Sequence, residues 1–474
     1  MSINLGIDRV LSHPDLLQDL GRISIVANQS SVSSTFDPVV DVIISSCSKT
    51  SGSQVVSIFG PQHGYFQTKQ DNMIETPDSF YTFVDNQNNS IQFPLYSLYS
   101  EVRAPHPHQL QDTDTIIFDL TDVGNRVYTY MATLVNIIKV VAEMTKVQGK
   151  TQGKKMKVIV LDRPNPVGLC FKKDETWYRI EGAPTQSNCQ SFVSMLPICF
   201  RHGLSMAEIG FIFCLMYFNS NNSAENLEFR DPFTVTPENY CLNFEKKDGI
   251  LTCFCSENLI YQSILVENLT RDTSLNTLSR LSFSIPSPNL PCWETVFFYC
   301  YSVAVEATNW SEGRGSTVPF KLIGSQKSVE STVDLMRLLN RFTENFGVKF
   351  KFHCFNPTFS KLSGENLNGI FGAIFDYSKI DLLNVTNLGW LMISLLFDNK
   401  TNFWRTPKEG YEYDWDRWAI DLIYGSQEFR KLVENRVNNS LTLEDFLIEF
   451  ERFCKDQDDF VQTWANDHER FFLY

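Results

Sequence analysis

Short apolar runs alternate with amphipathic stretches along the first half of the chain. Ile23 to Ala27, Val55 to Phe59, Phe93 to Tyr99, Ile116 to Phe118 and Val158 to Leu161 are apolar, often β-branched, and bounded by polar turn residues. Runs of this kind predict strands buried on both faces. Helical spacing separates them: an opening helix at Pro14 to Leu20, another around Val39 to Ile44, and a third beyond Asn125. In the third, Tyr130, Leu134, Ile137, Ile138 and Val141 recur at three and four. A further helix is expected at Met206 to Tyr217. Strands alternating with helices predict βαβ units, and so a mostly parallel sheet in an α/β fold.

All five runs turn polar at the same end. They lead into Asn28-Gln29-Ser30, Gly60-Pro61-Gln62-His63-Gly64, Ser100-Glu101 with Arg103, Asp119 to Arg126, and Asp162-Arg163-Pro164-Asn165-Pro166. In a parallel sheet these loops share one edge, which is where open α/β sheets bind ligands. The densest of them is DTIIFDLTDVGNRVYTY, Asp114 to Tyr130, where Asp119, Asp122, Arg126, Tyr128 and Tyr130 surround a turn at Gly124. Either acid alone is explained equally well as a helix cap. Five functional side chains in one strand-to-helix turn point to chemistry. His63 reads as a ligand contact or proton carrier, given its near-neutral reference pKa, or as a hydrogen-bonded structural histidine. Asp162 and Arg163 also read as a pair across a turn, Asn165 as a turn residue, and Arg126 with Tyr128 as an internal helix face. Ser205 and Glu208, after His202, have capping-box spacing and read as structure.

The second half mixes strand-like Val296 to Val305 and Val348 to Phe355 with a helix near Val329 to Phe346 and a closing helix from about Leu443. Two loops stand out. IPSPNLP, Ile285 to Pro291, is held rigid by its prolines and carries Asn289. EATNWSEGRGSTVPF, Glu306 to Phe320, places Glu306 and Glu312 beside Gly313-Arg314-Gly315, where the glycines let backbone approach a ligand while one guanidinium is presented. A structural loop explains both stretches almost as well.

At 474 residues the chain exceeds the size at which one core stops growing, so two domains are expected. The polar patch Asn219 to Glu225 places the boundary, giving one domain at 1–220 that carries most of these motifs and a second α/β domain at 226–474. A formal charge of -14 argues against a nucleic-acid groove and against adsorption to an anionic membrane. No apolar run is long enough to span a bilayer, and the N-terminus lacks secretory-signal character, so the cytosol is the expected compartment. Twelve cysteines without C-x-x-C spacing read as reduced and buried, and seven histidines give no metal-ligand spacing. Without G-x-G-x-x-G, G-x-S-x-G or a P-loop motif, neither a nucleotide cofactor nor a serine nucleophile is expected. Oligomeric state has no signature in the sequence.

A crevice of Asp, Glu, Arg, Tyr, Asn and His suits acid-base work on a hydroxyl-rich ligand such as a sugar. Glycoside hydrolysis commonly uses two carboxyl groups, one kept protonated. Arg126, Arg163 or Arg314 would read an acidic sugar substituent. FGPQHG, SLYSEVRAP, DLTDVGNRVYTY, LDRPNPVG, RHGLSMAEIG, PSPNLP and EATNWSEGRGSTVPF occur in an order and spacing that resemble the exo-β-N-acetylmuramidase family. The resemblance runs from Gly6 to the final FFLY. It implies a metal-free, cofactor-free glycosidase that releases terminal N-acetylmuramic acid from the non-reducing end of peptidoglycan fragments, in a cleft between a Rossmann-like domain and a second, smaller α/β domain that closes it.

One departure matters. The family's usual motif is P-E-H-G, with the glutamate as candidate acid, whereas this chain has Gln62, which is no comparable proton donor. Glu75 first and Glu101 second are expected to replace it, with His63, Asp119 and Asp122 completing the catalytic set. The expected substrate contacts are Gln62, Arg126, Tyr128, Tyr130, Asp162, Arg163, Asn165, Asn289, Glu306, Glu312 and Arg314. Two other readings stand beside this one, a catalytically silent sugar-binding relative and a glycosidase for another amino sugar.

Overall fold

The computed structural model describes residues 2–71, 73–100, 102–146, 155–218, 231–240, 242–281, 283–397 and 403–474. Its strands, in chain order, begin with β1 (Gly21–Val26), β2 (Ser53–Gly60), β3 (Ser79–Val84), β4 (Ser90–Ser97), β5 (Thr115–Phe118) and β6 (Met156–Leu161). A ribbon of β7 (Phe171–Lys173) and β8 (Thr176–Tyr178) follows, then β9 (Asn243–Lys247), β10 (Ile250–Phe254) and β11 (Leu259–Ile264). Among the described residues the large sheet has the order β3-β4-β2-β1-β5-β6-β11-β10-β9. The five strands expected from the sequence, β1, β2, β4, β5 and β6, are parallel, and β11 joins them in parallel beside β6. Antiparallel β3 closes one edge, and β10 with β9 closes the other.

Alternation along the strands explains why the runs are apolar throughout. Val26, Ile116, Phe118, Val158 and Val160 point into a core with the helices Tyr130–Thr145 and Met206–Tyr217. Ile23, Ile25, Ile117 and Ile159 point to the opposite face, against the helices Gly6–Ser12 and Val39–Cys47. With both faces covered, both sets of alternate positions are mostly apolar, and the buried Ser24 is satisfied by Ser57 and Thr113.

The second lobe is an antiparallel sheet of β12 (Leu322–Ser325), β14 (Leu367–Ile374) and β13 (Val348–Phe355), in the order β12-β14-β13. The helices Trp293–Ser302, Val329–Phe342 and Val385–Leu396 share its core, which is continuous with that of the large sheet.

Some expectations change. The boundary at 220–226 lies outside the described residues, and the chain beyond it returns to the large sheet as β9 to β11. Val296 to Val305 is not a strand: Trp293–Ser302 is an α-helix, continued by a 3₁₀ turn. Apart from Glu294 that helix is buried all round, so it has no polar face and no 3.6-residue period, and its aromatics and valines imitate a strand. At the N-terminus the α-helix is Gly6–Ser12, and Pro14–Leu17 is only a 3₁₀ turn.

Candidate functional site

The loop after β2 begins the site. His63 and Gly64 both have positive φ, 71° and 76°, which turns the chain sharply and buries Gln62 and His63. The Lys69 carbonyl fixes the imidazole through His63 Nδ1 at 2.6 Å, so Nδ1 carries the proton and Nε2 is left as an acceptor. Burial lowers the His63 pKa to about 4, so the ring is neutral near pH 7.

Opposite Gln62 stands a glutamate that the sequence reading missed. Tyr411 and Asp414 exchange backbone hydrogen bonds of 2.9 and 3.0 Å, and between them Glu412 and Tyr413 have φ of 50° and 63°. Two central residues with positive φ are the signature of a type I′ hairpin turn, a position that favours Asn-Gly. Holding two ordinary side chains there costs about 1–3 kcal/mol each. Contacts on Glu412 offset that strain. Tyr99 Oη donates to Glu412 Oε2 at 2.8 Å, Gln62 Nε2 donates to Glu412 Oε1 at 3.2 Å, and Arg103 donates to the Glu412 carbonyl at 2.8 Å. The Arg103 guanidinium also lies over the rings of Phe192 and Tyr413, at 4.4 and 4.5 Å. Thr129 Oγ1 donates to Gln62 Oε1 at 2.5 Å, which sets the amide so that its nitrogen faces the carboxylate. Burial, first, and the charge of Glu306 raise the Glu412 pKa, with the Tyr99 hydrogen bond opposing.

A second carboxylate lies beside the first. Glu306 accepts from Tyr411 Oη at 2.9 Å and pairs with Arg314 Nη2 at 2.7 Å. Arg314 Nη1 continues to Glu312 at 2.8 Å, and Lys361 Nζ reaches the other Glu312 oxygen at 2.8 Å. Lys361 and Arg314 together hold the Glu312 pKa down at about 2, overcoming the opposing effect of burial. The Gly313-Arg314-Gly315 loop permits this arrangement because a Cβ on Gly315 would meet the Phe359 carbonyl at 2.6 Å.

Gln62, His63, Tyr128, Tyr130, Glu306, Arg314 and Glu412 surround a cavity of about 40 Å³, enough for a water or two. Glu306 and Arg314 also line a larger cleft of about 490 Å³, with Glu312, Asn309, Lys361 and Arg405 on its walls. The cleft has room for a sugar and the inner cavity does not. Tyr128 and Tyr130 both donate to the Pro286 carbonyl, at 2.8 and 3.1 Å, and Asn289 Nδ2 donates to the Gln70 carbonyl at 2.5 Å. The proline loop is thereby tied to the cavity wall and to the loop after β2.

The remaining predicted residues lie elsewhere. Asp119 is buried against Arg163, whose Nε donates at 2.5 Å, and Arg163 Nη2 donates to the Val32 carbonyl. Asp122 pairs with His202 at 3.1 Å and accepts from the Gly124 N–H. Arg126 is enclosed and donates to the carbonyls of Ala183, Ile198, Ile423 and Tyr424, so it clamps backbone and reads no ligand. Asp162 accepts from the Ala207 N–H and the Tyr474 hydroxyl, its pKa raised by burial to about 6. Asn165 closes its own turn to Val167 and holds the Leu204 carbonyl. Glu75 is exposed and lines neither cavity, so the first expected substitute for the family glutamate stands away from the site. Glu101, the second, lies outside the described residues.

A mostly parallel α/β sheet whose loop edge meets a second lobe brings a buried glutamate, an ion-paired one and several tyrosines around one cavity, an arrangement that can exchange protons with a polar ligand. The chain belongs to the exo-β-N-acetylmuramidase NamZ family, whose N-terminal domain matches residues 23–294 and whose C-terminal domain matches 297–471. It is accordingly a glycosidase. Among relatives, the peptidoglycan β-N-acetylmuramidase NamZ of Bacillus subtilis (strain 168) is 27% identical over 459 residues, spanning 96% of this chain and 89% of that one. Two solved DUF1343-family structures from Bacteroides fragilis NCTC 9343 share the fold. One has a TM-score of 0.67 at 22% identity and the other 0.58 at 19%, and each alignment covers 100% of this chain and 99% of the other. Among the described residues, no helix is long and apolar enough to cross a membrane.

Proposed function

We propose that this protein releases terminal N-acetylmuramic acid from the non-reducing end of soluble peptidoglycan fragments, with Glu412 as the general acid. The observation that carries the reading is the Gln62–Glu412 pair: at the position of the family's P-E-H-G glutamate stands an amide, and that amide holds a buried carboxyl whose pKa is raised. A carboxyl whose pKa is raised by burial is suited to leaving-group protonation. Glu306, matched by Arg314, supplies negative charge near the developing oxocarbenium ion, and Tyr411 orients it. The sugar ring occupies the 490 Å³ cleft, with the scissile oxygen at the mouth of the inner cavity.

Leaving-group dependence tests the role of Glu412. An aryl glycoside needs little protonation of its leaving oxygen and a disaccharide needs much. Glu412→Gln is therefore expected to lose roughly 10²- to 10⁴-fold on N-acetylmuramyl-N-acetylglucosamine and far less on the p-nitrophenyl glycoside. Equal losses on both would remove Glu412 from the acid role. Sugar binding by wild-type protein with no turnover of either substrate would instead favour a silent sugar-binding relative.

A further inference from the structure

We infer that Arg405 reads the lactyl carboxylate of muramic acid and is the specificity-determining residue of the cleft. The inference rests on the proposed muramidase reading. Muramic acid differs from glucosamine by one ether-linked lactyl group, so discrimination requires a cation with free donors facing the sugar. Each other cation on the cleft wall is already engaged. Arg314 uses Nη1 on Glu312 and Nη2 on Glu306, while its Nε is buried. Lys361 has three protons, and three oxygens take them: Glu312 Oε2 at 2.8 Å, the Val305 carbonyl at 2.8 Å and the Thr308 carbonyl at 3.1 Å. Arg126 serves backbone carbonyls, and Arg163 serves Asp119 and Val32 in a separate pocket.

Arg405 differs from all of these. It lines the cleft and, among the described residues, its guanidinium forms no ion pair and no side-chain hydrogen bond. It is nevertheless held in place. Its backbone N–H donates to the Ala307 carbonyl at 2.7 Å, one residue from Glu306, and its guanidinium carbon lies 5.4 Å from the centre of the Tyr411 ring. Tyr411 in turn donates to Glu306. A planar fork resting on an aromatic ring loses little freedom when it takes a carboxylate in two parallel hydrogen bonds. The acids that line the cleft with it are Asp71, Glu306, Glu312 and Glu409; Glu306 and Glu312 pair with Arg314 and Lys361, and Glu409 accepts from the Thr406 N–H and hydroxyl.

The test compares wild type, Arg405→Ala and Arg405→Lys on three p-nitrophenyl β-glycosides, those of N-acetylmuramic acid, its lactyl methyl ester and N-acetylglucosamine. Calorimetric binding of free N-acetylmuramic acid and N-acetylglucosamine runs in parallel. Arg405→Ala is expected to lower kcat/KM on the free acid by roughly 10- to 100-fold, mainly through KM, while the ester changes little. Arg405→Lys should recover part of the loss, and calorimetry should show the preference for muramic acid erased in the alanine variant. Equal losses on acid and ester, or unchanged discrimination between the two sugars, would overturn the role of Arg405 and leave the muramidase reading intact. Wild-type protein that neither turns over nor binds the muramic compounds would overturn both.

Discussion

Gln62 Nε2 donates to Glu412 Oε1 at 3.2 Å, so an amide after β2 and a carboxyl 350 residues later in the chain form one buried unit. Because burial raises the Glu412 pKa, the folded state keeps its proton to a higher pH than the unfolded state, whose glutamate pKa is about 4.3. Stability therefore falls as pH rises from about 4.3 through the folded value. Glu412→Gln removes this dependence. The Tm difference, variant minus wild type, should grow between about pH 4 and pH 8 in thermal melts. A constant difference would show that Glu412 is ionised in the fold.

Glu312 behaves in the opposite sense. Lys361 and Arg314 hold its pKa at about 2, so its contribution is fully present above about pH 4.3 and is lost as pH falls toward 2. The contribution is about 3 kcal/mol. Glu312→Gln should destabilise the protein near pH 7 by about 3–5 kcal/mol, since Lys361 and Arg314 lose a buried partner. Its acid-denaturation curve should also be flatter than wild type in that window, which equilibrium urea titrations at stepped pH would resolve.

Arg126 was an expected ligand contact and is a backbone clamp. Arg126→Met leaves the carbonyls of Ala183, Ile198, Ile423 and Tyr424 without their donor and should cost about 3 kcal/mol or more. The fraction that folds should keep its KM. A large KM increase in a variant of unchanged Tm would return Arg126 to the substrate.

Much of the architecture was legible because each parallel strand is covered on both faces, which forces continuous apolar runs and leaves polarity only at their ends. That logic located Gln62, His63, Tyr128 and Tyr130, which line the inner cavity. It also marked side chains that line neither the inner cavity nor the larger cleft. Asp119, Asp122, Asp162 and Asn165 sit on the same sheet edge, yet their partners are Arg163, His202, Tyr474 and Leu204, which no local spacing connects to them. Glu412 and Arg405 were missed for the converse reason. They lie in a segment whose conformation is set by a tight turn and by packing against Tyr99 and Glu306, so no apolar period marks it. The visible trace was Gly410-Tyr411-Glu412-Tyr413, aromatic residues bracketing an acid after a glycine.

Glu75, exposed and outside both cavities, should be dispensable. Glu75→Gln is expected to change stability by no more than about 0.5 kcal/mol and to leave kcat/KM on muramic substrates as in wild type. A loss comparable to that of Glu412→Gln would move the acid to the loop after β2.

The central claim is tested most directly by p-nitrophenol release from the p-nitrophenyl β-glycosides of N-acetylmuramic acid and N-acetylglucosamine, with wild-type protein from about pH 4 to pH 8. The account predicts release from the muramic compound with little from the glucosamine compound. Equal release from both sugars, or none from either by protein shown to be folded, would contradict it.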